Sequence, residues 1–343
     1  MQRPPPGHSR VAVAQFIAEG RATSLGQVAR RRGQKSRGTV AAYDHRMTTP
    51  APRPGAFLGT IVDDSRVSAW VIDLDEGSRT MLRAVPTGEP RGVALLVPGF
   101  TGSREDGRLL LPELAERGWD TWIYSQRGQA DSSRTPGHYG SDDFAADAVA
   151  VARALAAFTA GEASASERRA PRPVHLVGHS FGGVVAGDAV IREPSAFADV
   201  AMLCSGPHGW EGRMDDLPAA LDADQGVDTW TLHQEDGLPA ALDAEQAFLR
   251  ERALLTDIEG VRAIAGILET HVDRTAELEA TGLPMMVLHG DGDDAWPIEW
   301  QRTWALRLGA RYEVIADAGH LPNLDQPART ADLLSDFWGA GER

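Results

Sequence analysis

The residues around Ser180 give the strongest chemical signal in this sequence. The stretch Gly178-His179-Ser180-Phe181-Gly182-Gly183 follows a short apolar run and opens a helical pattern. A serine hydroxyl is a weak nucleophile, and a sharp strand-to-helix turn holds it clear of a sheet while the glycines let neighbouring backbone pass close. The amide of Phe181 would lie at a helix N-terminus and face a developing oxyanion. The pattern predicts that Ser180 attacks an acyl carbonyl; the alternative is a helix that merely begins with serine.

A nucleophilic serine needs a base, and His320 is the best placed histidine. Gly319-His320 follows a strand pattern and precedes the last helical pattern. Loops at the carboxyl ends of strands are where open α/β sheets place catalytic groups. A surface loop histidine is the alternative. The other histidines considered lie within a strand, inside the turn, or in a long helical segment (His175, His179, His208, His233, His271).

The base in turn needs a carboxylate to orient it. Three acids, Asp291, Asp293 and Asp294, crowd the loop that follows the strand pattern ending at His289. Composition alone does not choose among them. A metal site on His289, Asp291 and Asp293 is a further alternative, but the loop lacks calcium-loop spacing and a distant glutamate.

Strand and helix patterns alternate along most of the chain and place these residues at strand ends. Gly92 to Val97 is a continuous apolar run, typical of a strand buried on both faces. The alternation predicts an α/β fold with a doubly wound, mostly parallel sheet. Strands are predicted at 69–74, 80–85, 92–97, 119–124, 174–177, 200–204, 285–289 and 312–315, and helices at 109–117, 144–158, 181–192, 297–308 and 325–338.

The chain divides into three kinds of segment. Residues 1–56 are basic and rich in proline, and they are predicted to be a disordered tail; Met47 is an alternative natural start. Residues 57–206 and 284–343 carry the alternating pattern of the core. Residues 207–283 interrupt it with helical stretches, including 240–256 and 258–268, and are predicted to form an inserted helical lid.

From about Phe57 to Trp338 the chain resembles the α/β-hydrolase family, on the serine turn and on the order serine, acid, histidine. In that family the acid lies four residues after the histidine of a His-Gly-x-x-Asp-x-x-Val-Pro pattern. The register matches His289, Asp293 and Pro297, so the resemblance implies that Asp293 is the acid, with Asp294 as the second choice. Trp296 stands where the family often has valine.

Two further segments are similar to family motifs. Pro98-Gly99-Phe100 resembles the early His-Gly motif, which implies that the amide of Phe100 forms an oxyanion hole with that of Phe181. Residues 125–132 resemble the family's Asp-x-Arg-Gly-x-Gly-x-Ser segment, with Ser125 and Ala130 departing from it. This segment is predicted to be scaffolding, and Arg127 is interpreted as half of a structural ion pair in preference to a clamp on an anionic substrate.

Composition excludes several classes of partner. The 343 residues have a formal net charge of −15, which disfavours nucleic acid and anionic membrane surfaces. No apolar run reaches the length of a membrane span, and no signal peptide is supported. Cys204 is the only cysteine, so an internal disulfide is impossible, and a cytoplasmic location is expected. No cofactor or metal is required by the predicted chemistry.

The predicted lid bears on the substrate. It contains 17 acids and five arginines, a formal −12. A negative field at the entrance to the site would favour neutral esters or lactones over anionic ones. The alternative is a solvated acidic surface with no effect on the substrate. Trp210, Trp230 and Phe248 are candidate substrate-binding residues, with ordinary packing of the lid as the alternative.

The sequence thus predicts a serine hydrolase that cleaves a carboxylic ester or lactone through an acyl-enzyme on Ser180. Cofactor-free perhydrolysis or acyl transfer on the same residues is a second hypothesis. A receptor-like binding protein that keeps the fold with little turnover is a third, from a different class.

Overall fold

A nine-stranded sheet organises the residues that the computed structural model describes, which are 50–162, 173–214, 217 and 242–340. The strands are β1 (Arg53–Pro54), β2 (Val67–Leu74), β3 (Gly77–Ala84), β4 (Gly92–Val97), β5 (Trp119–Tyr124), β6 (Val174–His179), β7 (Phe197–Leu203), β8 (Met285–Gly290) and β9 (Arg311–Ile315). Their order in the sheet is β1-β2-β3-β5-β4-β6-β7-β8-β9. The pairs β1–β2, β2–β3 and β3–β5 are antiparallel, and the six strands from β4 to β9 run parallel to one another. The predicted doubly wound, mostly parallel sheet is confirmed.

Helices follow the strands in the predicted rhythm. They are α1 (Leu110–Glu116), α2 (Ser141–Glu162), α3 (Phe181–Arg192), α4 (Ala244–Leu255), α5 (Ile258–Thr270), α6 (Thr275–Ala280), α7 (Ile298–Leu308), α8 (Pro322–Asp325) and α9 (Pro327–Ala340). Gly309 ends α7 in the left-handed conformation, with φ of 60°, which glycine adopts without steric cost.

Two apolar cores lie on opposite faces of the sheet. On one face, strand residues such as Leu95 and Val97 pack against α2, α3 and α7. On the other face, Ala94 and Leu96 pack against α1 and α9. The continuous apolar sequence of β4 follows from this arrangement, because its successive side chains point into the two cores in turn. The sheet is thereby held rigid beneath the loops at its carboxyl edge.

Helix α2 is the one described helix that is long and apolar enough, by length and composition, to cross a membrane. Its Phe144, Val151 and Leu155 are buried in the core beside the sheet. Asp147 on the same helix is buried as well and accepts hydrogen bonds from Arg79 and Arg127. A buried ion pair against the sheet identifies α2 as a core helix of the folded domain.

The segment from 207 to 283, called the inserted segment below, contains α4, α5 and α6 joined by turns and loops, and no strand among its described residues. Helix α4 begins at a capping box, in which Asp243 accepts from the amide of Gln246 and the Gln246 side chain accepts from the amide of Asp243. The two arms of the segment meet where the amide of Gly209 donates to the carbonyl of His271 at 2.8 Å. Helix α6 follows this closure and leads to β8.

The first described residues correct the predicted boundary of the N-terminal tail. Arg53 and Pro54 form β1 and pair with Val71 and Trp70 of β2. The carbonyl of Ala56 accepts from Arg104, which is fully buried. A disordered tail through residue 56 is therefore too long, because this stretch is fixed to the sheet edge; residues 1–49 of that prediction lie outside the described residues.

Candidate active site

Ser180 lies on the sharp turn between β6 and α3. Its φ of 55° and ψ of −119° are unusual for a residue with a side chain, which is the strain expected of a nucleophile held on a turn. Its amide donates to the carbonyl of Leu203 on β7 at 2.9 Å. A side chain on Gly182 would overlap the carbonyl of Val97, so only glycine lets α3 start this close to β4.

His320 and Asp293 form a hydrogen-bonded pair at the same edge of the sheet. The Nδ1 of His320 lies 2.8 Å from an oxygen of Asp293, whose side chain is fully buried. Burial raises the pKa of Asp293, but the neighbouring His320 and the hydrogen bonds from His320 and Gln301 outweigh it and bring that pKa to about 2. An ionised carboxylate only accepts, so in the neutral imidazole Nδ1 carries the proton and Nε2 keeps its lone pair. This is the tautomer that a general base requires.

Asp293 and Asp291, two of the three acids of the loop, have separate partners. Asp293 also accepts from the amides of Ala295 and Trp296, which hold it in the loop. Asp291 is exposed and accepts from the amide of Ala318. The geometry therefore favours Asp293 as the acid, in the register that the family pattern implies.

His179 joins the serine turn to the histidine loop, a contact that the sequence analysis did not identify. Its Nε2 donates to the carbonyl of His320 at 2.8 Å, and the two rings lie 4.9 Å apart. Burial, with a smaller effect from His320, lowers the pKa of His179 to about 4. The ring is therefore neutral at pH 7, and its single N–H belongs to this bond.

Hydrogen bonds hold the backbone of the loop after β4 in the way expected of an oxyanion site. Gln126 donates to the carbonyl of Pro98 at 3.0 Å, and Gln129 donates to the carbonyls of Gly99 and Phe100 at 2.8 and 3.1 Å. The amides of Phe100 and Phe181 have no acceptor within the described part of the chain. With the carbonyls held by glutamines, the Phe100 amide remains free for an oxyanion, as the Phe181 amide does at the start of α3.

The segment around these glutamines has the predicted scaffolding role. Arg127 is 3% exposed and binds both oxygens of Asp147, so its interpretation as a structural ion pair is confirmed. Gln126 and Gln129 were not identified from the sequence, because the family pattern is defined by the arginine and glycine between them, Arg127 and Gly128. Gln301, which donates to Asp293, was overlooked in the same way. It lies four residues after Pro297, on the first turn of α7.

Among the described residues, two clusters bring metal-ligating atoms close together. In both clusters, members already make hydrogen bonds or ion pairs with other residues. His179, Cys204 and His320 place ligand atoms within 4.8 Å of one another, but both histidines are already engaged in the hydrogen bonds above. Burial raises the pKa of the Cys204 thiol well above its usual range, as expected for a small buried apolar residue. The second cluster, Glu76, His138 and Asp143, is exposed to part-buried and has the Arg127 guanidinium against Glu76 at 2.8 Å.

The alternative metal site on the acid loop does not form. His289 is fully buried and bonds to Gly290 and to the hydroxyl of Tyr312, while Asp293 turns to His320. These side chains therefore face different partners.

The three candidate substrate-binding residues have different surroundings. Trp210 is part-buried and packs edge-on against Trp296 and Trp300, beside the acid loop. Phe248 is 3% exposed in a small cluster with Leu58 and Ala130, a placement that favours packing of the inserted segment over substrate contact. Trp230 lies outside the described residues.

The serine turn, the acid–histidine pair and the loop after β4 lie on a parallel sheet in the order typical of one family. The family model for alpha/beta hydrolases matches residues 94–333, which span the sheet from β4 to α9. The chain belongs to the alpha/beta hydrolase family. It is a hydrolase, and both the family and the fold implied by the sequence resemblance are confirmed.

Comparisons with individual proteins agree with this membership. The chain is 29% identical over 185 residues to a pimeloyl-[acyl-carrier protein] methyl ester esterase from Methylococcus capsulatus, covering 49% of this hydrolase and 71% of that protein. Its fold is similar to that of a carboxylesterase from Bacillus subtilis, with a TM-score of 0.62, 16% identity, and coverage of 82% of this chain and 94% of the other. A bromoperoxidase from Bacillus anthracis matches with a TM-score of 0.60 and 18% identity, over 79% and 100% of the two chains.

Proposed function

We propose that this hydrolase cleaves a carboxylic ester or lactone through an acyl-enzyme on Ser180. The observation that carries the proposal is the pairing of His320 with the buried, ionised Asp293, which leaves the Nε2 of His320 free to accept a proton. The methyl ester esterase among its relatives supports an ester as the substrate.

Each residue of the site has a defined step in this mechanism. His320 takes the proton of Ser180 as the hydroxyl oxygen attacks the carbonyl carbon, and the negative oxygen is bound by the amides of Phe100 and Phe181. His320 then gives its proton to the departing alcohol. Water, deprotonated by the same histidine, attacks the acyl-enzyme and releases the acid and Ser180. Asp293 stabilises the charged form of His320 throughout.

The inserted segment is proposed to act as a cap over this site. Its Trp210 packs against Trp296, which is three residues after Asp293. A cap of this kind excludes water and selects the acyl group. The cytoplasmic location expected from the lone cysteine remains a prediction.

The test is hydrolysis of p-nitrophenyl esters over a range of acyl lengths, by the wild type and by Ser180→Ala. We expect the variant to lose at least ~10³-fold in kcat because the nucleophile is gone. Ser205→Ala is the matched control, since Ser205 is also a buried serine beside the turn and has no part in the mechanism.

Labelling by a fluorophosphonate, followed by mass mapping, identifies the reactive serine independently of the substrate. Label on Ser180 with ester turnover supports the proposal. Ester turnover that survives Ser180→Ala contradicts the assignment, and label without turnover of any ester favours the receptor-like hypothesis.

A further inference from the structure

Arg213 of the inserted segment is stacked between two tryptophans next to the catalytic acid. The carbon at the centre of its guanidinium lies 4.2 Å from the ring centroid of Trp210 and 3.7 Å from that of Trp296. Trp296 is fully buried, and its amide donates to Asp293. Arg213 therefore lies where the inserted segment meets the acid loop.

The hydrogen-bonding capacity of this guanidinium is largely unused. One terminal nitrogen, Nη2, donates to the carbonyl of Ala295 at 3.2 Å. The other, Nη1, is shielded from solvent and has no acceptor among the residues that the structure describes. No carboxylate of the described chain lies within ion-pairing distance of Arg213. Asp293 attracts it from further away, but the oxygens of Asp293 are engaged by His320, Gln301 and two backbone amides.

An arrangement of this kind is energetically unfavourable unless something else balances it. A cation removed from water without a partner costs several kcal/mol, and stacking on two indole rings offsets only part of that. Burial lowers the pKa of Arg213 to about 9, so the side chain still carries its charge at neutral pH. The missing component is a negative charge at Nη1.

The chemistry of the surroundings selects the kind of anion. A guanidinium presents a planar pair of donors that matches a carboxylate. The neighbouring tryptophans favour a ligand with an apolar portion. A dianionic phosphate would need a second cation, whereas the charge that acts on Arg213 is the negative Asp293.

We propose that Arg213 binds a carboxylate of the substrate, so that the preferred substrate is an ester with one free carboxylate, such as a monoester of a dicarboxylic acid. This inference rests on the ester hydrolysis proposed above. It is opposite to the neutral substrate expected from the formal −12 of the inserted segment. The diffuse field of a net charge is screened over about 10 Å by salt, whereas a guanidinium shielded from solvent acts at contact.

The kinetic test compares monomethyl glutarate with methyl pentanoate, two methyl esters of equal acyl length that differ in the terminal carboxylate. The wild type is expected to prefer monomethyl glutarate in kcat/KM. In Arg213→Gln this preference should fall by about 10- to 100-fold, mainly through KM, because a charge-assisted hydrogen bond to the substrate is lost. Arg262→Gln is the matched control, since Arg262 is an exposed arginine of α5 and its loss changes the net charge equally; its preference should match the wild type.

A wild type without preference for the hemiester, or an Arg213→Gln variant that loses equally on both esters, overturns the subsite. Arg213→Lys guards against a folding defect, because it keeps the charge and should retain part of the preference.

A binding measurement separates the subsite from the proposed reaction. Titration of glutarate into the Ser180→Ala protein, followed by calorimetry, should show binding that Arg213→Gln weakens at least tenfold. Glutarate binding that depends on Arg213, in a protein whose Ser180 turns over no ester, would refute the proposed reaction and keep the subsite. Ester turnover that depends on Ser180, with glutarate binding absent or indifferent to Arg213→Gln, would refute the subsite alone.

Discussion

A neutral histidine on the serine turn links two loops of the candidate site. His179 donates to the carbonyl of His320 and its pKa is lowered to about 4, below its ordinary value of 6.5. The unfolded chain therefore binds a proton between pH 6.5 and 4 that the folded chain does not, so stability falls as the pH falls through this window.

We predict that His179 contributes a pH-dependent term to stability. From pH 7 to pH 5, the wild type should lose about 2 kcal/mol more of its free energy of unfolding than His179→Gln, because the glutamine has no proton to bind. Urea unfolding at the two pH values measures the difference. His138→Gln, which removes an exposed histidine, is the control and should follow the wild type; equal losses in all three proteins would refute the prediction.

The acid of the site can be tested with two neighbouring residues. Asp293→Asn should lower kcat by ~10³ to 10⁴, because the amide no longer fixes the tautomer of His320 or balances its charge. Asp294→Asn should cost far less, since the His320 ring bonds to Asp293. Steady-state ester hydrolysis decides between them, and a comparable loss in Asp294→Asn alone would move the role to Asp294.

At the residue scale, the sequence singled out the candidate catalytic residues but not the side chains that hold them in place. The serine turn and the family register pointed to Ser180, Asp293 and His320, which the fold brings to one sheet edge. Gln129 and Arg213 contact segments far from them in sequence, and no local spacing marks them or Gln301. For Phe248 the structure favours the packing alternative, because its side chain is buried in a cluster with Leu58 and Ala130.

At the scale of single elements, helix α3 shows how closely the turn must pack. We predict that Gly182→Ala lowers the free energy of unfolding by ~3 kcal/mol or more, because the added methyl group overlaps the carbonyl of Val97. Gly187→Ala on the same helix meets only Leu278 and Met202 at 3.7 Å, so it should raise stability by up to ~1 kcal/mol through helix propensity.

Denaturant unfolding of the two variants gives both numbers. If Gly182→Ala were as stable as Gly187→Ala, the tight approach of α3 to β4 would be wrong. The strands and helices of this core were predictable because each has a characteristic pattern in the sequence. Strand β4, for example, is apolar throughout, and helical patterns alternate with strand patterns along the chain. The short strand β1 was missed because two residues beside a proline show no pattern.

At the scale of the whole molecule, two truncations test where the N-terminal tail ends and the folded domain begins. Deletion of residues 1–46 should leave ester turnover and the melting temperature nearly unchanged, as expected for a basic, proline-rich tail. Deletion of residues 1–56 removes β1 and takes the Ala56 carbonyl from the buried Arg104, and it should lower the melting temperature by several degrees. Thermal unfolding of both truncations measures this, and equal melting temperatures would contradict the role of β1.

The closure of the inserted segment at Gly209 and His271 has an evolutionary consequence. Since the two arms meet there, the ends of the intervening chain are fixed relative to each other, and adding flexible chain between fixed ends costs only about 0.6 kcal/mol for each doubling of its length. A lineage can therefore lengthen, shorten or replace this module while Ser180, Asp293 and His320 keep their positions on the sheet. If the proposed function holds, new substrate preferences would arise by exchange of one module, with the rest of the site left intact.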